Sequence, residues 1–142
     1  MNTTVIEKTV EIKATAKNLW RAFTDPVITR QMGGEYITDW KPGSPISWKG
    51  IDGNIYSNGV ILQLEPEKLI QHSLFNLDDP NDILSVITYQ LDEDGGHTSL
   101  YAREELSTEM PEEEYKNASE GWDYALRVLK EKAEDLNKEV PF

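Results

Sequence analysis

The stretch YKNASEGWDYALRVLKEKAEDLNKEV, residues 115–140, decides the fold. Its apolar positions are Tyr115, Ala118, Trp122, Ala125, Leu126, Leu129, Ala133, Leu136 and Val140. Steps of three and four over this length put them on one stripe of a long amphipathic helix. Pro111 suits its first turn, and Glu112, Glu113 and Glu114 suit the positive end of the helix dipole. Lys130, Lys132 and Lys138 lie towards the other end. Gly121 sits mid-helix, at a cost of about 1 kcal/mol against alanine. It is expected to let the helix bend, or to let a strand or ligand come close.

The chain ahead of this helix supplies its cover. Thr4 to Ile12 alternates apolar and polar, a strand with one buried face. Ala16 to Phe23 reads as a short helix. Asp25 as N-cap and Pro26 at the first position start a second, which Gly33-Gly34 ends. Strands are then expected over Tyr36–Trp40, Ile46–Lys49, Tyr56–Leu64, Lys68–Asn76, Ile83–Leu91 and Thr98–Glu105. Lys41 to Pro45 and Asp52-Gly53 mark turns, and Gly59 reads as a bulge. Leu77 to Asp82 reads as a polar loop, and Asp92 to Gly96 as the last hairpin connection. Alternating sheet faces and a helix stripe both need cover, so the expected class is α+β: a curved antiparallel sheet wrapped around a long C-terminal helix. A sheet curved in this way leaves interior space. No linker or repeat divides residues 1–142, which read as one domain.

Composition narrows the function classes. There is no cysteine, which excludes disulfides, thiolate nucleophiles and cysteine metal sites. Acidic residues number 26 against 14 basic, a net charge of -12. Such a surface repels phosphate backbones and anionic lipid heads, so no nucleic-acid partner is expected. It keeps a protein soluble and would also attract a basic protein partner. Met1 to Ile12 lacks a leader's continuous apolar core, and no apolar run reaches the roughly 20 residues of a membrane span. The expected setting is the cytoplasm, without membrane insertion.

Catalytic and metal signatures are sparse. The sequence contains no Gly-x-Ser-x-Gly elbow, and its histidines are His72 and His97. His72 shares a strand face with Ile70 and Leu74 and reads as a structural histidine; His97 falls in a turn. No ligand spacing points to a metal, no glycine loop has phosphate-binding context, and no cofactor is expected. Glu104 continues the alternation Thr98, Leu100, Ala102, which places it inside, at the rim, or where the strand frays into solvent. A buried, unpaired carboxylate there would serve as an acid or base. The aromatics Trp40, Trp48, Tyr56, Phe75, Tyr89 and Trp122 fall on elements that face the space between sheet and helix. Gln71 and Ser73 are expected to share a face with Leu69 and Phe75. Aromatic walls with a few polar groups suit a small amphipathic ligand, or they fill the core completely.

The ordered pieces resemble a known group. They are Ala22-Phe23-Thr24-Asp25-Pro26, Asp39-Trp40-Lys41-Pro42-Gly43-Ser44-Pro45-Ile46, Gly59-Val60-Ile61-Leu62 with Glu65-Pro66 and Leu69, Val86 to Leu91, Thr98-Ser99-Leu100, and Gly121-Trp122 with Leu126, Leu129 and Lys130. The pattern is similar to the START-like (SRPBCC) superfamily, and within it to the C-terminal domain of the activator of heat-shock-protein-ninety ATPase. Gln31-Met32 departs from it, since many relatives carry a tryptophan there. The resemblance implies a helix-grip fold and a cavity. Relatives include lipid carriers, hormone receptors, aromatic cyclases and a co-chaperone domain, and the fold does not choose among them. Three roles follow as expectations. The first is a binding module for a small apolar or aromatic ligand. The second is a co-chaperone-like protein-interaction domain. The third is a cyclase-like enzyme in which Glu104 or a tyrosine moves protons.

Overall fold

The computed structural model describes residues 5–138. Seven strands form one sheet: β1 (Val5–Ile12), β2 (Gly34–Ile37), β3 (Pro45–Gly50), β4 (Ile55–Glu65), β5 (Leu69–Asn76), β6 (Asp79–Asp94) and β7 (His97–Leu106). Helices α1 (Ala16–Thr24) and α2 (Pro26–Thr29) follow β1, and the long α3 (Glu112–Lys138) closes the chain. Thr4 and Val140, expected in the first strand and the last helix, lie outside the described residues. The strand order is β1-β7-β6-β5-β4-β3-β2, antiparallel throughout. β1 and β2 are therefore opposite edges, and α1 with α2 must carry the chain from one to the other. This is the expected α+β helix-grip architecture.

Local chemistry sets the helix starts. Thr15 Oγ accepts from Asn18 N at 3.2 Å and caps α1. Asp25 Oδ1 accepts from Val27 N at 3.0 Å and caps α2, with Pro26 following. Pro111 stands just before α3, where its carbonyl accepts the first helical bond from Tyr115 N at 2.9 Å.

Cross-strand rows on the inner face build the core. Leu64, Ile70, Tyr89 and Ala102 form one row; Leu91, Leu100 and Val10 form the next. They pack with Leu19, Ala22 and Phe23 of α1 and with Leu126, Leu129, Ala133 and Leu136 of α3. A third inner row runs Ile61, His72, Ile87, Glu104, Ile6. α3 also covers the β1 edge: the Tyr115 hydroxyl donates to Val5 O at 3.0 Å, and Lys130 Nζ donates to Glu11 O at 2.9 Å. Edge carbonyls engaged in this way cannot template pairing with another chain.

Four local expectations are corrected. The strand expected over Tyr36–Trp40 is Gly34–Ile37, and Trp40 turns the chain with φ 55°. Residues 77–82 are not a loop: only Leu77-Asp78 connect β5 to β6, and Asn76 pairs with Asp79. The five-residue connection expected at Asp92–Gly96 is two residues, Gly95-Gly96 at φ 62° and 85°, as a tight hairpin with both central residues left-handed requires. Gly59 is not a bulge, because it pairs in register with Ile46, and the β4 irregularities fall at Tyr56, between Ser57 and Ile55, and between Ile61 and Gln63. Close approach is why glycine stands at 59: a Cβ there would lie 1.8 Å from the Ser73 carbonyl oxygen. Gly121, by contrast, has no atom within 4 Å of an added Cβ, so neither strand nor helix comes near it.

The two glycines therefore respond oppositely to alanine. Gly59→Ala should lose about 2–3 kcal/mol or more, since rigid backbone must shift. Gly121→Ala should gain about 1 kcal/mol, the helix-propensity difference at an exposed site. Urea denaturation of both variants checks this; equal responses would contradict the packing described.

Candidate functional site

The buried stripe of α3 covers only its C-terminal half. Leu126, Leu129, Ala133 and Leu136 are buried, while Tyr115, Ala118 and Trp122 are half-buried and Ala125 is exposed. Ala125 is exposed because it faces a cleft of about 310 Å³ between α3, the first two helices and the sheet. Tyr124, Ala125 and Val128 form its helical wall, and Phe23, Met32, Tyr36, Trp48 and Tyr89 face them. Tyr124 stands at the mouth, 62% exposed, with the Arg127 guanidinium 5.4 Å from its ring centre. A wider hollow of about 820 Å³ beside the β4–β5 turn is rimmed by Glu65, Glu67, Lys68, Asp92 and Glu93, with no aromatic side chain.

The aromatic rings brace one another. Tyr36 meets Trp48 edge-on at 4.8 Å, and Tyr89 lies 4.8 Å from Phe23 and 5.8 Å from Trp122. Tilted and edge-on contacts of this kind fix ring orientation. Behind Tyr36 and Tyr89, the side chains of Trp40, Ile46, Ile70 and His72 leave no room for a water. The two tyrosines lie close enough to influence each other's titration. Burial pushes the Tyr36 phenol up to about 12. Burial, and after it the nearby Tyr36 and Glu104, hold Tyr89 well above the ordinary tyrosine value. Both stay protonated donors.

Glu104 is held, not free. Its Oε2 accepts from Ser85 Oγ at 2.8 Å and its Oε1 from Trp122 Nε1 at 2.9 Å. The carboxylate ties the N-terminal half of α3 to the sheet and does not line the cleft. His72 is buried, and its Nδ1 lies 3.0 Å from the Ser73 carbonyl oxygen. A carbonyl only accepts, so Nδ1 carries the proton. Glu104 and His72 share a row but stand two strands apart, roughly 10 Å, so they form no hydrogen-bonded dyad.

The sequence-derived site residues divide accordingly. Trp48 and Tyr89 line the cleft, and Trp122 braces Tyr89. Glu104 anchors Trp122, while Trp40 packs behind the tyrosines. Tyr56 is 56% exposed, with its hydroxyl on Asp52 in the β3–β4 turn. Gln71, Ser73 and Phe75 alternate with the inward His72 and Leu74 and so occupy the outer face. There Gln71 Nε2 donates to Thr88 Oγ at 3.1 Å, and Ser73 Oγ accepts from Val60 N at 3.1 Å. Sequence reasoning missed Phe23, Met32, Tyr36 and Tyr124. The signal for Tyr36 was its place in a short edge strand after a glycine pair; Tyr124, off the apolar stripe, carried none.

The family model described as Activator of Hsp90 ATPase homolog 1-like protein matches residues 13–134. The chain belongs to this family. No curated protein matches the sequence. Among solved structures, ChR145 from Cytophaga hutchinsonii superposes with a TM-score of 0.75 at 26% identity, over 95% of this chain and 97% of that one. The Aha1 dimer from Colwellia psychrerythraea superposes at 0.75 and 18% identity, over 96% of this chain and 100% of that one. CalU16 from Micromonospora echinospora superposes at 0.70 and 24% identity, over 89% and 71%. At such identities the last two show the fold alone. No helix among the described residues is long and apolar enough to cross a membrane.

His72 offers a pH test of the inner row. Burial pushes its pKa below the ordinary 6.5, against the opposing pull of the Ser73 carbonyl and then the Glu104 charge. The native state thus binds the proton less readily than the unfolded chain. Its contribution to stability is complete above pH 6.5 and is lost as the pH falls below that value. An NMR titration of the His72 ring should give a midpoint under 6.5; one at or above it would contradict the burial.

Proposed function

We propose that this protein holds a small apolar or aromatic molecule in the cleft between α3 and the sheet. One observation carries the reading: about 310 Å³ of space bounded by Phe23, Met32, Tyr36, Trp48 and Tyr89 on one side and Ala125 and Val128 on the other. That volume is at the small end of the ~300–1,000 Å³ typical of ligand sites, and the walls have the usual apolar and aromatic character. The family's fold supports it, since its curved sheet and long helix create such a space. Glu104 supports it less as an acid or base, because both its oxygens already accept hydrogen bonds.

Ligand at about 100 times its Kd adds roughly 2.7 kcal/mol, a Tm gain of roughly 5–10 °C for a chain of this size. A panel of lipids and polycyclic aromatics should contain compounds that give this gain. Ala125→Trp fills the cleft from an exposed helix position, so it should fold normally and abolish the gain. A panel with no stabilising compound, or one that stabilises the Trp variant equally, would overturn the reading.

A protein-interaction role is the second reading. It is favoured by the β5–β6 hairpin, where the apolar Leu77, Ile83 and Leu84 are exposed at 52%, 47% and 46% beside Asp78, Asp79 and Asp82. A partner for that arm would be basic and apolar. Wild-type protein should retain it at low salt and release it at moderate salt, and a Leu77→Ser, Ile83→Ser, Leu84→Ser variant should not retain it. Equal capture by both forms would remove this hairpin from the reading.

A further inference from the structure

We infer that the cleft selects uncharged ligands bearing a hydrogen-bond acceptor (a ketone, quinone or ether oxygen) that accepts a proton from the Tyr36–Tyr89 hydroxyl pair. The inference rests on the cleft being a ligand site and names the chemistry of its occupant.

The residues lining the cleft include no Asp, Glu, His, Lys or Arg. An ionised group seated among the inner aromatic walls would shed its hydration without a counter-charge, since the Arg127 guanidinium stands outside them beside Tyr124 at the mouth. The carboxylate of Glu104 acts on Tyr89 from the sheet side and adds repulsion against an anion. A positive ligand finds no acceptor carboxylate either, because Glu104 is engaged by Ser85 and Trp122.

The polar groups of the lining are few. Thr29 Oγ is occupied by the Pro26 carbonyl at 3.4 Å, and Tyr124 stands at the mouth. Tyr36 and Tyr89 remain, beside the indole N–H of Trp48. Both tyrosines line the cleft, and even a bond from one hydroxyl to the other would leave one O–H proton for a ligand. Their rings are held by Trp48 and Phe23, so the donor is aimed before any ligand arrives. Both phenols are pushed up by burial, so the pair donates throughout the physiological pH range.

Three naphthalenes of similar shape test this at pH 7: 2-acetonaphthone, 2-isopropylnaphthalene and 2-naphthoate. Binding to the wild type, Tyr36→Phe, Tyr89→Phe and the double variant is followed by titration calorimetry. The ketone should bind the wild type about three- to tenfold more tightly than the hydrocarbon, the worth of one neutral hydrogen bond. Naphthoate should bind on the order of 100-fold more weakly than the ketone, from the uncompensated charge. The double variant should lose the ketone's advantage while its hydrocarbon affinity changes less than about twofold. Naphthoate binding as tightly as the ketone, or a preserved ketone advantage in the double variant, overturns the inference while leaving the cleft a ligand site. No binding by any of the three overturns both. The ketone–carboxylate comparison needs only the wild type, so it stands even where a tyrosine variant fails to fold.

Discussion

The structure depends on where the apolar stripe of α3 leaves the sheet. The helix has 27 residues, so it is about 40 Å long, more than one domain core can cover. Leu126, Leu129 and Leu136 are buried against α1 and the sheet and contribute on the order of 5–8 kcal/mol together, an upper figure. Nothing comparable anchors the N-terminal half. Lys8 and Asp123 meet at 2.9 Å, but Asp123 is 63% exposed and a pair of that kind adds at most about 1 kcal/mol. The helix is therefore fixed by its C-terminal leucines, and its other half projects past them. The cleft opens where the short side chains of Ala125 and Val128 face Phe23, Tyr36 and Tyr89.

Directional bonds, rather than burial, set the height of that projecting half. Trp122 donates to Glu104, and Tyr115 donates to the Val5 carbonyl. Glu104 gains a second donor from Ser85, so a half-buried carboxylate on the inner face has both oxygens satisfied. This reverses the role expected of it from sequence. A carboxylate in the right phase to face inward is a catalyst only when its lone pairs are free, and strand alternation does not reveal the donors on a helix 18 residues away.

Much of the architecture was legible because it is encoded in period. The three-four spacing of α3, the alternation of β1 and β7, and the Asp25-Pro26 cap are local features, and local physics reads them well. The site was less legible. In β5, Leu69 and Phe75 flank one face and Ile70 and Leu74 the other, so apolar count cannot assign the inner side. Only pairing with Tyr89 and Ile87 of β6 decides it, and it turns Gln71, Ser73 and Phe75 outward. Tyr56 failed for another reason: it is the extra residue where β4 slips against β3, with Ser57 opposite Trp48 and Ile55 opposite Lys49. Tyr124 lies off the stripe, and its relation to the cleft follows from where α3 lifts away, a tertiary fact.

The cleft's volume argues for an open mouth. A sealed apolar void costs about 24 cal/mol per Å³, so about 310 Å³ would cost roughly 7 kcal/mol. That is comparable with the whole stability of an ordinary domain, about 5–15 kcal/mol. A chain could not retain such a void closed and still fold securely. The structure avoids the penalty by leaving the helical wall at Tyr124 and Ala125 exposed, so that solvent reaches the cleft. The same exposure makes exchange with a ligand easy, because nothing needs to unfold. What enters must then outcompete water at Tyr36 and Tyr89 while gaining from the aromatic walls, which favours a mostly apolar molecule with one well-placed acceptor.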